Sequence, residues 1–174
     1  MKSEFFFHHI AAIVLALLTL WSLRHELTER ATPRSMWALP PVFAVLTAAV
    51  LLYVSPGKRL EMWAAALVAG LVLGGVMGAL MKINQDFGLK LLRVKRSWDG
   101  LIAATLLLLL AVSRLVTSDL MTRQSGKFGV LGASATFLAA FIVSRYLLAR
   151  FYNAPKAIHL DMVAGHNPHR TLIN

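Results

Sequence analysis

The chain has 174 residues, 57% of them hydrophobic, no cysteine and a formal net charge of +10. That apolar content excludes an ordinary soluble domain, and the lack of cysteine excludes disulfides, thiolate metal sites, iron–sulfur clusters and any thiol relay within the chain. In a soluble protein the cationic excess would suggest nucleic acid; beside long apolar runs it reads as cations flanking membrane spans and facing anionic lipid, with no nucleic-acid partner.

Taking roughly 20 apolar residues as one crossing, five spans are expected, at about residues 5–23, 37–54, 62–81, 100–120 and 128–151. This predicts an all-α polytopic bundle over residues 1–152 and a largely irregular tail over 153–174. The first span is read as a retained helix and not a cleaved leader, because Trp21-Ser-Leu-Arg24 has no small-x-small cleavage site. His8 and His9 at its start are consecutive, so they point about 100° apart and are expected to be solvated at the interface. In the polar connection that follows, Glu26 and Arg30 are spaced for an i,i+4 pair. The second span opens near Trp37 with Pro40 and Pro41 in its first turns, where missing amide hydrogens matter least. Ser55-Pro-Gly-Lys58 reads as a tight turn, which predicts that spans two and three form an antiparallel hairpin.

The third span carries Gly70, Gly74 and Gly78 at four-residue intervals, a nearly continuous stripe without side chains. In lipid, close backbone approach at small residues is a principal source of helix association. The stripe is therefore expected to be a packing surface, either within the chain, with the third helix as the hub of the bundle, or for a second subunit.

The stretch from Lys82 to Trp98 admits two readings. At helical period, Ile83, Phe87, Leu91, Val94 and Trp98 share a face opposite a cationic one, the pattern of an interfacial amphipathic helix. At period two, Asp86-Phe-Gly88 is a turn and the segment a small hairpin. Either way Lys90, Arg93, Lys95, Arg96 and Trp98 are expected to contact an anionic membrane surface.

Asp99 reads as an N-cap for the fourth span, which carries Arg114, the one ionisable residue well inside an apolar run. Burying its charge costs at least about 2.5 kcal/mol at the bilayer centre, so it is either an interhelical or snorkelling contact or a ligand for an anion. In the fifth span Gly129 and Ala133, then Gly132 and Thr136, repeat the small-xxx-small spacing. Its end, Arg145-Tyr-Leu-Leu-Ala-Arg-Phe-Tyr152, reads as an interfacial belt of arginines and aromatics.

No nucleophile–base arrangement or phosphate-binding glycine loop is present, so no catalytic residue is assigned. Bis-histidine haem ligation does not fit histidines at opposite ends of the first span. The tail residues His159, Asp161, His166 and His169 read as a solvated segment; no metal or cofactor is expected. The cations alternate in density, twelve on one side of the predicted spans against five on the other, which predicts an outer N-terminus and a cytoplasmic C-terminus in a bacterial inner membrane.

From Gly70 to Val116 the order of features resembles the CcdC-like family of small bacterial membrane proteins. It comprises a glycine-rich span ending in Lys82, a polar segment from Asn84 to Ser97 with a central glycine and a basic end, and a leucine-rich span from Leu106 to Arg114. The resemblance implies a link, by family name, to cytochrome c maturation and supplies no catalytic residues. Without cysteine, any such role is an accessory one. The sequence therefore leads to two expectations: a non-catalytic accessory or assembly subunit packing against its own copies or another membrane protein, or a small transporter or channel using Arg114 for an anion.

Overall fold

The computed structural model describes residues 2–28, 32–33, 35–54, 60–86, 91–94, 97–120 and 128–153. Five α-helices account for most of them: α1 (Lys2–Thr28), α2 (Leu39–Tyr53), α3 (Leu60–Leu80), α4 (Asp99–Leu120) and α5 (Phe128–Leu148). Each supplies a stretch long and apolar enough to cross a membrane, α2 together with the turn before it (Met36–Tyr53) and α5 together with the turn after it (Val130–Tyr152). A helix of 21 residues rises about 32 Å, matching a hydrocarbon core of about 30 Å. The chain is a multi-pass helical membrane protein.

Local chemistry explains the element boundaries. A single 3-10 turn (Met36–Ala38) leads into α2, whose first turn holds the proline pair. Along the spans, hydroxyls bond back to carbonyls of the preceding turn: Thr19 to Leu15 at 2.9 Å, Thr47 to Phe43 at 2.7 Å, Thr136 to Gly132 at 2.9 Å. In lipid this satisfies a group that has no water to turn to.

Four helices form a ring. α1 packs on α2 and α4, and α5 packs on the same two from the opposite side. Alanines fill the centre: Ala12, Ala16, Ala44, Ala104, Ala111 and Ala135 are all buried. With hydrophobic burial unable to distinguish protein from lipid, such small side chains let the backbones approach closely.

α3 is not the hub expected of it: it stands outside this ring, docked on α5 and scarcely touching α2. The expected hairpin of spans two and three is therefore not formed; α5 comes between them. The reason is the glycine stripe, which finds a better partner than the sequence neighbour. Gly70 lies over the carbonyl of Phe137, Gly74 over Phe141 and Ser144, Gly78 over Arg145. The numbers rise together, so α3 and α5 run parallel. A Cβ on Gly74 would lie 2.7 Å from Phe141 Cα, and one on Gly78 would lie 2.9 Å from Arg145 Cα. Those neighbours are backbone and cannot turn aside. The Ser144 hydroxyl lies 3.4 Å from the Gly70 carbonyl, a weak polar stitch across the seam.

The connection between α3 and α4 takes the strand form of the two readings. β2 (Ile83–Asp86) and β3 (Leu91–Val94) pair antiparallel, Ile83 opposite Val94 and Asp86 opposite Leu91. β1 (Thr32–Pro33), just after α1, adds to the far edge of β3, giving the order β1-β3-β2. Ile83 and Val94 are buried, which a period-two pattern achieves by pointing paired residues to one face. Arg93 lies in β3, Trp98 is half exposed, and Lys90, Lys95 and Arg96 fall outside the described residues, as does the tail beyond 153. α5 runs on into one turn of π-helix (Ala149–Asn153) that touches α3.

Candidate functional site

At the hairpin end of the bundle, three helix termini bring charged side chains to one point. Arg145 comes from the last turns of α5, Glu26 from the end of α1, and Asp99 from the first turn of α4. The guanidinium has no solvent exposure. Its Nη1 and Nη2 donate to the two carboxylate oxygens of Glu26 at 3.0 and 2.8 Å, the fork-on-fork geometry that suits this pair. Nε donates to Asp99 Oδ2 at 2.6 Å, and Nη2 also to the Ser97 hydroxyl at 3.0 Å. The Tyr146 hydroxyl donates to Glu26 Oε1, and the Tyr146 ring meets the buried Trp37 edge-on at 5.3 Å.

Gly100 makes room for this arrangement: a Cβ there would lie 2.7 Å from Arg145 Nη1. Among the described residues two carboxylates face one guanidinium, a formal charge of −1. Glu26 is sealed, at 2% side-chain exposure, while Asp99, at 27%, is the carboxylate that reaches solvent. Chemically the cluster is a clasp. It ties the ends of α1, α4 and α5 to one another and, through Ser97, to the chain just beyond β3.

These positions bear on three expectations. Arg145 is not an interfacial anchor, because the bundle supplies carboxylates that lipid cannot. Glu26 pairs across the bundle, and Arg30, its expected partner along the chain, lies outside the described residues. Asp99 is the first residue of α4 and turns its carboxylate to Arg145, while Trp98 O accepts the first helical bond, from Ile102 N at 2.9 Å. The signal was nonetheless present in the sequence: the predicted topology already placed Glu26, Asp99 and Arg145 at the same end of their spans.

At the opposite end, buried Arg114 of α4 donates from Nη2 to the Val54 carbonyl at 2.8 Å. Val54 follows the last residue of α2, so the guanidinium satisfies a carbonyl that the helix leaves without an intrahelical partner, with favourable dipole sign. His9 is buried, contrary to its expected solvation, because this part of α1 faces the other helices; His8 stacks on Tyr53 at 5.4 Å. Gly132 faces Trp63 of α3 and Leu52 of α2, Ala133 lines a groove described below, and Gly129 lies in the first turn of α5.

Fold and site together define the class: a multi-pass membrane protein of four ringed helices with a fifth held on by a glycine seam, closed at one end by a charged clasp and a short sheet. No protein-family model, curated protein or solved structure matches the chain.

Proposed function

We propose that this protein is a non-catalytic accessory or assembly subunit of a bacterial inner membrane, acting by helix packing with its own copies or with another membrane protein. The observation that carries this reading is the free side of α3. Its glycine face is taken up by α5, and the opposite ridge, Val68, Val72, Val76 and Leu80, is more than half exposed at every position. Valine has one strongly preferred rotamer in a helix, so a ridge of three loses little side-chain freedom when a partner helix covers it. In this proposal the glycines hold α3 in place and the valine ridge meets the partner. The CcdC-like resemblance is compatible with that accessory role.

Because the chain has no cysteine, single cysteines give an unobscured test. Val72→Cys is expected to cross-link in membranes, to itself or to a partner, while Ile102→Cys, also more than half exposed but on α4, is not. Equal cross-linking at both positions, or at neither, speaks against the ridge.

The proposed orientation places the hairpin end in the cytoplasm, following the twelve-to-five distribution of cations. Tyr53→Cys, at the opposite end, should react with an impermeant thiol reagent in intact cells, and Trp98→Cys only after lysis. The reverse pattern inverts the orientation.

A further inference from the structure

Between α4 and α5, with Ala66 of α3 at its edge, lies a groove of about 640 Å³. Leu106, Leu109, Val130 and Phe137 line it, with Ser113 and Ser134 as its polar side chains. The Ser113 hydroxyl donates to the Leu110 carbonyl at 2.9 Å, so it already has a backbone partner. Leu106, Leu109 and Val130 are each about half exposed, so the groove opens sideways, along the length of spanning helices. At that depth its surroundings are hydrocarbon, and its contents come either from the bilayer or from another protein's helix.

The rims decide between the two. The groove follows α5 from Val130 to Leu138, a rise of about 12 Å at 1.5 Å per residue. Helices in a bilayer associate where small residues let their backbones approach, but the exposed rims here are the bulky Leu106, Leu109 and Val130, which hold a second backbone off. A flexible, unbranched apolar chain passes between them, and the lining offers it apolar contact almost throughout, with no charged side chain among the lining residues to desolvate.

We propose that this groove is a binding site for one acyl chain of a bilayer lipid, held between α4 and α5 as a bound component and exchanging more slowly than the lipid around the bundle. The site is separate from the valine ridge of α3, and neither depends on the other.

The test uses the full chain in phosphatidylethanolamine–phosphatidylglycerol vesicles doped with phosphatidylcholine carrying a diazirine on one acyl chain. After illumination, adducts are expected to concentrate in the segments 106–113 and 130–138, at least fivefold above those at Val14 and Leu17, half-exposed positions on α1. Two substitutions fill the groove from different walls. Ala133→Phe does so from α5, and Leu109→Trp does so from the exposed edge of α4, where extra bulk does not press on the packed core. Each is expected to lower groove labelling at least fivefold while leaving that on α1 unchanged. Labelling spread evenly over the lipid-facing helices, or groove labelling that survives both substitutions, overturns the proposal. So does a groove that resists the lipid probe while a bifunctional reagent links it to a second protein.

Discussion

Arg145→Met is expected to lower stability by about 3–5 kcal/mol, the range for removing one partner of a buried ion pair. The substitution leaves the Glu26 carboxylate sealed from solvent with the Tyr146 hydroxyl as its remaining side-chain donor among the described residues. Asp99 suffers less, since part of its side chain reaches water. The paired variant Arg145→Met with Glu26→Met removes both buried charges and fills similar volume, so it should recover more than half of the loss, a large coupling energy for two residues in contact. Unfolding in mixed micelles with rising SDS content, followed for the two single variants and the double, measures that coupling. Simple additivity would show that the two side chains act separately and that the clasp is not a unit.

Gly74→Leu is the second large effect. The new Cβ meets the Phe141 carbonyl and its Cα, atoms that move only if α3 and α5 separate. Overpacking commonly costs 1–3 kcal/mol, and here about 3 kcal/mol or more is expected, because α3 has no second helix of comparable contact to hold it. Gly75→Ala is the informative contrast. Among the described residues its added Cβ approaches Leu148 Cδ1, the far end of a flexible side chain, so a rotamer change relieves the contact. The expected result is a clear drop in melting temperature and an altered elution volume in detergent for Gly74→Leu, and near-native behaviour for Gly75→Ala. Indistinguishable melting for Gly74→Leu and the parent would mean that the seam contributes little to the fold.

The five spans were legible because each is a long apolar run, and a bilayer sets the length that such a run must have. The stripe of Gly70, Gly74 and Gly78 was legible as a packing surface; its partner was not, since nothing in the spacing of glycines identifies the facing helix. The short Ser55–Lys58 connection argued for α2, but loop length constrains proximity only weakly when a neighbour offers closer backbone contact. The clasp was misread for a related reason. Glu26 has a cation four residues on, Asp99 stands where an N-cap would, and Arg145 sits among aromatics at the end of a span, so each had a local explanation. The tertiary arrangement brings all three together, because a buried guanidinium with carboxylates on two other helices satisfies more donors than an interfacial belt or an N-cap does. Arg114 was legible as a residue of consequence, and its hydrogen bond to Val54 O is of the interhelical kind.

The parallel seam between α3 and α5 also sets a clock on biosynthesis. Arg145 follows its partner Gly78 by 67 residues, and α4 must be made in between. At 5–20 residues per second, the ribosome takes about 3–13 s to supply the second half of the seam. Throughout that interval α3 is already long enough to insert, yet its glycine groove faces lipid or whatever helix is nearby. The newborn chain thus passes through a stage in which its stickiest surface is open, and the arrival of α5 ends it.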